Sequence, residues 1–103
     1  MPDLPRAGFV VATKDRPRDL RNMLASLDEQ SVRPGQVVVV DASAEPVESV
    51  VAEFPSLRID YLRHLPPSAS AQRNAGIRAV DPAMDPVGFL DDDVLEPGSM
   101  ERT

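Results

Sequence analysis

The sequence predicts an α/β fold, an open parallel β-sheet with helices on both of its faces. Three observations predict it. Short apolar runs alternate along the chain with segments of helical periodicity. One run, 37–40, is four consecutive valines, which is typical of a parallel strand covered on both faces. The segments between the runs are long enough for the crossovers that parallel strands require.

The first two elements are a strand over 8–13 and a helix that begins near Pro17. Proline is tolerated in the first turn of a helix because its missing N–H would have no partner there. The apolar residues that follow recur at positions i, i+3, i+4 and i+7, which predicts one buried helical stripe. They are Leu20, Met23, Leu24 and Leu27. We expect this helix to end near 29–30, before Pro34 and Gly35.

The second strand is predicted over 36–41 and includes the four valines. A second helix is expected to start at Pro46 and to end before Pro55, because apolar residues again recur at helical spacing. They are Val47, Val50, Val51 and Phe54. Leu57, Ile59 and Tyr61 alternate with polar residues, which indicates a shorter strand nearer the edge of the sheet. A loop over 63–67 follows.

The third helix is expected to be capped by Ser68 or Ser70 and to run to about Val80. Small residues at helical spacing would let it pack closely on the sheet; they are Ala71, Ala75 and Ala79. The fourth strand, 87–90, runs directly into three aspartates at 91–93. The predicted order is therefore β-α-β-α-β-α-β, with right-handed crossovers.

The length, net charge and cysteine content of the chain exclude several classes of protein. The chain has 103 residues, with 11 Lys and Arg against 17 Asp and Glu, and a formal net charge of −6. We expect a lead-in over 1–7 and one α/β unit over 8–103. The acidic balance argues against nucleic-acid binding, and the lack of cysteine excludes disulfides and thiolate metal sites. No stretch long enough to span a bilayer and no secretory signal is visible, so we predict a cytoplasmic protein.

Polar residues follow three of the predicted strands, where ligands bind in open parallel sheets. They are Thr13, Lys14 and Asp15 after the first, Asp41 after the second, and Asp91, Asp92 and Asp93 after the fourth. Adjacent carboxylates repel one another unless a cation or hydrogen bonds compensate them. A hard cation such as Mg²⁺ or Mn²⁺ is a natural compensator. The alternative is a solvated acidic turn or a helix N-cap.

The other polar residues leave alternatives open. Asp41 either contacts a nucleoside hydroxyl or accepts hydrogen bonds from its own loop, and no Gly-x-Gly-x-x-Gly follows the first strand to support a dinucleotide site. Arg73, expected in the first turn of the third helix, either binds phosphate or is a solvated side chain. Lys14 and Asp15 either touch a ligand or form a solvated turn. His64 is interpreted as a loop residue.

Five motifs together resemble the nucleotide-binding half of family 2 glycosyltransferases, inverting enzymes with a GT-A fold. The motifs occur in the order of that family and cover about residues 8–100. They are residues 10–17, the helix 20–30, the segment 38–43, the segment 71–77, and Phe89 to Asp93 with its DXD-like aspartates. The resemblance implies a Rossmann-like N-terminal half that binds a nucleotide-diphospho-sugar, with a UDP-sugar as the expected donor.

The resemblance also implies roles for individual residues. Ala12, Thr13 and Asp15 would line the pocket for the base and ribose. Asp41 would accept a hydrogen bond from the base, and Arg73 would lie by the base or the diphosphate. Asp91 would bind ribose or orient its loop. Asp92 and Asp93 would reach a Mg²⁺ or Mn²⁺ ion that clamps the leaving diphosphate.

Members of that family continue past the aspartates into an acceptor-binding half that carries the catalytic base. We therefore expect this chain to be the front part of such a domain, from a split reading frame or a fragmentary gene. The base would lie beyond Thr103, the far side of the fourth strand would lack its neighbours, and a longer form could associate with a membrane. Donor sugar and acceptor are not encoded in these residues.

Three other classes of protein compete with this interpretation. A nucleotidyltransferase would carry a glycine in the loop after the first strand, and Thr13 to Arg16 has none. A signalling receiver domain needs an acidic pair after the first strand and a lysine after a fifth, whereas the acidic cluster here follows the fourth. A folded remnant that binds no ligand is the third alternative.

Overall fold

The computed structural model of the chain describes residues 7–30 and 34–91, with the side chain of Asp91 left out. In these residues four strands alternate with three helices, as the sequence predicts. The strands are β1 Gly8–Thr13, β2 Gln36–Asp41, β3 Ile59–Arg63 and β4 Val87–Asp91. The helices are α1 Pro17–Asp28, α2 Glu48–Val51 and α3 Ala69–Ala79.

All four strands are parallel and form one sheet in the order β3-β2-β1-β4. The chain moves outward from β1 through β2 to β3 and then returns to the other side of β1. Strand order therefore reverses between β1 and β4. In open parallel sheets, the crevice at the carboxyl ends of the strands flanking such a reversal is where ligands bind.

Apolar cores lie on both faces of the sheet, which confirms the predicted fold class. The four valines of β2 are fully buried and alternate between the faces. Val37 and Val39 pack with the α1 stripe and with Val47 and Val50. Val38 and Val40 face α3 and pack with Val10 and two of the predicted small residues, Ala75 and Ala79. The continuous apolar run of β2 follows from this double burial.

Helix α2 and strand β3 differ in their bounds from the sequence prediction. Helix α2 is a single turn, because i→i−3 hydrogen bonds from Glu53 and Phe54 tighten the chain directly after it. Val47 and Phe54 lie outside α2 yet contact the core, so the helical spacing reflected core packing. Leu57 is buried but precedes β3. Arg63, predicted in a loop, is the last residue of β3.

Helix α3 begins one residue after Ser68, whose hydroxyl accepts a hydrogen bond from the Ala71 N–H at 3.2 Å. The predicted cap is thus Ser68 rather than Ser70. Because the helix starts at Ala69, Arg73 is its fifth residue and lies in the second turn, and its predicted place in the first turn is wrong. Ser68 fixes the start of α3 because an N-cap satisfies backbone donors that have no helical partner.

Helix α3 approaches the sheet most closely at Gly76. A Cβ atom at this position would lie 2.3 Å from Cγ1 of Val10, which is fully buried and β-branched. Such a contact is far inside van der Waals distance, and a stiff side chain in a packed core has little room to move. Gly76 therefore permits the close packing of α3 on β1.

We expect Gly76→Ala to destabilise the protein. Alanine recovers about 1 kcal/mol of helix propensity, whereas overpacking a core costs about 1–3 kcal/mol. At 2.3 Å from Val10 the overpacking term should prevail, leaving a net loss of about 1–2 kcal/mol. Urea unfolding of the variant measures this, with Asn74→Ala on the exposed side of α3 as the control. Unchanged stability of Gly76→Ala would contradict the close approach.

Candidate functional site

The carboxyl ends of the strands bring most of the predicted site residues to one edge, which we call the carboxyl rim. In the parallel register Thr13 pairs with Asp41, and Asp41 pairs with Arg63. On the other side of β1, Ala12 pairs with Asp91. Neighbouring strands lie about 4.8 Å apart, so Asp41 and Asp91 are roughly 10 Å from one another across β1. The predicted gathering of these residues at one edge is confirmed for the backbone.

Asp41 is the best-connected side chain of the carboxyl rim. Its Oδ1 accepts a hydrogen bond from the Ser43 N–H at 2.8 Å. Its Oδ2 accepts from the Val47 N–H at 2.9 Å, from the Tyr61 hydroxyl, and from Arg63 Nη1 at 3.2 Å. The side chain is 0% exposed. The carboxylate therefore joins the end of β2 to the following loop and to β3, which is the loop-binding alternative of the sequence analysis.

Opposing effects act on the pKa of Asp41. Burial raises it, because an ionised carboxylate loses hydration. Hydrogen bonds from Ser43, Tyr61 and Val47 lower it, and together they leave the pKa below its ordinary value. The same neighbourhood acts in reverse on Tyr61, where burial and the hydrogen bond to Asp41 raise the pKa of the hydroxyl. Both groups are thus held in the charge states that this hydrogen bond needs, an ionised acceptor and a protonated donor.

Asp15 connects the loops that follow β1 and β2. Its N–H donates to the Ser43 hydroxyl at 2.6 Å, and its Oδ1 accepts from the Ala44 N–H at 2.9 Å. Its φ of 56° lies in the left-handed region, where aspartate is tolerated better than most residues. Lys14 Nζ lies 3.6 Å from Asp15 Oδ2, and both side chains are half exposed. Asp15 is therefore a loop-ordering residue at the edge of the site.

We expect Asp15→Ala to cost about 1–2 kcal/mol of stability. Alanine gives up the hydrogen bond from Ala44, worth about 1 kcal/mol, and is disfavoured at a positive φ. Asp15→Asn is the matched variant, since asparagine keeps an acceptor oxygen and tolerates the same φ. Thermal unfolding should show alanine clearly less stable than asparagine. Equal stabilities of the two variants would contradict this account of the loop.

Gln72 closes the rim from the α3 side. Its Nε2 donates to the carbonyl oxygens of Thr13, at 3.2 Å, and Val40, at 2.9 Å. Its Oε1 accepts from the Ser68 N–H at 3.2 Å, and the residue is 3% exposed. The side chain therefore holds the ends of β1 and β2 at a fixed distance from the start of α3.

Arg73 and His64 are the remaining residues that the sequence analysis singled out and the structure describes. Arg73 is partly buried in the second turn of α3. His64 lies directly after β3, as the loop interpretation predicts, and its N–H donates to the Asp41 carbonyl at 3.0 Å.

Between the loops after β1 and β2 lies an open groove of about 390 Å³. Its lining is largely apolar and includes two acidic residues, Asp15 and Glu45. Pro17, Pro46, Val47 and Val50 provide much of the apolar wall. The groove therefore offers a largely apolar space beside Asp15.

The predicted metal ligands are only partly within the described residues. Asp91 ends β4 beside Ala12, while Asp92 and Asp93 lie outside the described residues. Within ranges 7–30 and 34–90, no group of three His, Cys, Asp or Glu side chains is arranged to hold a metal ion. Carboxylate oxygens are the donors that Mg²⁺ and Mn²⁺ prefer, so the donor chemistry of 91–93 fits such an ion.

Sequence reasoning did not find Tyr61, Arg63 or Gln72 as parts of the site. Once the register is known, alternation in β3 places the first two on the face that carries Asp41 in the neighbouring strand, but no local pattern in the sequence gives that register. For Gln72 the signal was a polar residue four positions before Gly76, on the close-packed side of α3.

Comparison with known proteins adds no family assignment. No protein-family model matches the chain, and a search of curated proteins finds no similar sequence. In the described part of the chain, no helix has the length and apolar character needed to cross a membrane. The class that the fold defines is an α/β protein with a parallel four-stranded sheet.

Proposed function

We propose that the chain is the nucleotide-sugar-binding half of an inverting glycosyltransferase similar to family 2. The observation that carries the proposal is the register of the sheet. It aligns Ala12, Thr13 and Asp91 at the carboxyl edge, on the two strands between which strand order reverses. This is the edge at which a phosphorylated ligand is expected in a parallel sheet.

The proposed ligand is a nucleoside diphosphate carrying a sugar, with a UDP-sugar as the expected donor. Thr13 would lie at the base and ribose, with Asp15 ordering the loop beside them. Asp91 would face the ribose, and Arg73 would serve the diphosphate as a hydrogen-bond donor. Asp92 and Asp93 would hold a Mg²⁺ or Mn²⁺ ion. When bound, such an ion supplies Lewis-acid stabilisation of the charge that develops on the departing diphosphate.

Asp41 supports the proposal in a different way from the one that the resemblance implies. The carboxylate of Asp41 is fully buried, and both of its oxygens accept hydrogen bonds from the protein. Its role in the structure is therefore to order the neighbouring backbone. It fixes the loop at 42–47 beside the groove, so that the rim is ordered before any ligand arrives. Its direct contact with a base stays a prediction.

Calorimetry of the full chain with UDP tests this function. We expect binding only when Mg²⁺ or Mn²⁺ is present, and at least tenfold weaker binding in Asp92→Asn and Asp93→Asn. Asp85→Asn is the matched control, because it removes an exposed carboxylate just before β4, at the opposite edge of the sheet. The proposal would be overturned if the affinity for UDP were the same with and without metal and in both aspartate variants, or if UDP did not bind at all.

A further inference from the structure

Arg63 is a cation that the fold holds rigidly at the carboxyl rim. Its Nη1 donates to Asp41 Oδ2 at 3.2 Å and to the Ser43 carbonyl oxygen at 2.8 Å. The guanidinium also makes a side-chain hydrogen bond with Tyr61, which by itself lowers the pKa of the Tyr61 hydroxyl. The side chain is 32% exposed. The guanidinium is thus anchored in the protein, while part of the side chain remains exposed to a ligand.

The neighbouring Asp41 carboxylate could accept a hydrogen bond from a ligand only by losing one of its present donors. Asp41 is 0% exposed, and four donors occupy its two oxygens. A ligand that reaches this end of the rim therefore meets N–H donors of Arg63 before it meets the carboxylate. The partly exposed guanidinium of Arg63 can therefore donate hydrogen bonds to a ligand, and its hydrogen bond to the buried Asp41 carboxylate fixes its orientation.

We propose that Arg63 is a specificity-determining residue that donates hydrogen bonds to a keto oxygen of the nucleotide base, with Asp41 as its positioning residue. This inference rests on the proposed function. Arg63 and Asp91 end the two outer strands of the sheet, three inter-strand spacings or roughly 14 Å apart. A diphosphate held at the β4 end would leave the nucleoside directed along the rim toward Arg63.

The chemistry of the fork predicts which bases it accepts. Arginine has only N–H donors and no acceptor. The 4-oxo group of uracil is an acceptor, whereas cytosine presents an amino donor at the same position. The site should therefore favour uridine over cytidine nucleotides, by roughly tenfold if the contact resembles other base contacts made by arginine.

The matched pair of variants is Arg63→Met and Tyr61→Phe. Each removes one hydrogen bond to the same oxygen of Asp41, but only the first removes the N–H donors of the guanidinium. Arg63→Lys retains the charge and loses the planar fork. Calorimetry with UDP, CDP and UMP in the presence of Mn²⁺ gives the affinities, and thermal unfolding confirms that each variant is folded at the titration temperature.

We expect the native chain and Tyr61→Phe to prefer UDP to CDP by roughly tenfold, and Arg63→Met and Arg63→Lys to lose most of that preference. A preference that persists in folded Arg63→Met would overturn the assignment. An equal loss for UDP and CDP, absent for UMP, would mean that Arg63 serves the second phosphate and not the base, which also overturns it. Absence of all nucleotide binding to the native chain would instead mark failure of the proposed function, and the inference would fall with it.

Discussion

Asp41→Ala is expected to reduce the free energy of unfolding by about 3–5 kcal/mol, the largest effect of any single substitution at the rim. The substitution leaves the N–H groups of Ser43 and Val47 without an acceptor in a buried place. Each buried donor that loses its partner costs about 1–3 kcal/mol. Arg63 and Tyr61 lose a partner as well, but both reach solvent and can be hydrated.

Urea unfolding measures this loss, and Asp19→Ala is the control. Asp19 is 40% exposed and pairs with Arg16 at 3.3 Å, so its removal should cost less than about 1 kcal/mol. If Asp41→Ala lowered the free energy of unfolding by less than about 1 kcal/mol as well, the buried hydrogen bonds of Asp41 would contribute little to stability.

The pH dependence of stability provides a second measurement on Asp41. Because its pKa is lower in the folded protein than in the unfolded chain, the unfolded state binds the proton more readily. Its contribution is fully present above the unfolded pKa of about 3.9 and is lost as the pH falls through the lower folded value. Asp41→Ala should lack this component, so the difference in stability between native chain and variant should shrink in acid. A constant difference from pH 7 to pH 2 would contradict the lowered pKa.

Gln72→Leu is expected to lower the free energy of unfolding by about 2–4 kcal/mol, the second largest effect. Leucine has a similar volume but leaves the buried carbonyl oxygens of Thr13 and Val40 without this donor. The Ser68 N–H also loses its acceptor.

Two measurements distinguish the loss of the Gln72 hydrogen bonds to β1 and β2 from a general effect on helix α3. Asn74→Ala, at an exposed position of α3, should not destabilise the protein, since alanine has the higher helix propensity by about 0.7 kcal/mol or less. Hydrogen exchange should be faster in Gln72→Leu at the ends of β1 and β2, with less change at their starts. Exchange that is faster by the same factor along the whole of both strands would contradict a stabilising role of Gln72 confined to the carboxyl rim.

The fold was predictable because its strongest signals are local. Four valines in a row need burial on both faces, and the helical spacing of Leu20, Met23 and Leu24 needs one apolar partner face. The boundaries of α2 were less predictable, since Val47, Val50 and Phe54 fit a two-turn helix and a one-turn helix with flanking core contacts equally well. Apolar spacing indicates which side chains are buried, and does not fix where backbone hydrogen bonding stops.

The site was predictable as a location but not as a set of contacts. Strand ends followed by polar residues indicated the edge, and the register bears this out for Thr13, Asp41 and Asp91. The partners of Asp41 depend on β3 lying beside β2, a long-range pairing that no local pattern encodes. The same is true of Gln72, whose acceptors are 59 and 32 residues away in sequence. Tertiary contacts of this kind need the register before they can be derived.

Paramagnetic broadening by Mn²⁺ tests the central claim most directly. In an NMR spectrum of the chain with UDP, Mn²⁺ held by Asp92 and Asp93 should broaden the amide signals of Ala12, Thr13 and Asp91 at the carboxyl ends of β1 and β4. The amide signals of Gly8 and Val87, roughly 13 Å farther along the same strands, should be broadened much less. Broadening centred on Gly8 and Val87, or spread evenly over the sheet, would contradict a metal and nucleotide site at the carboxyl rim.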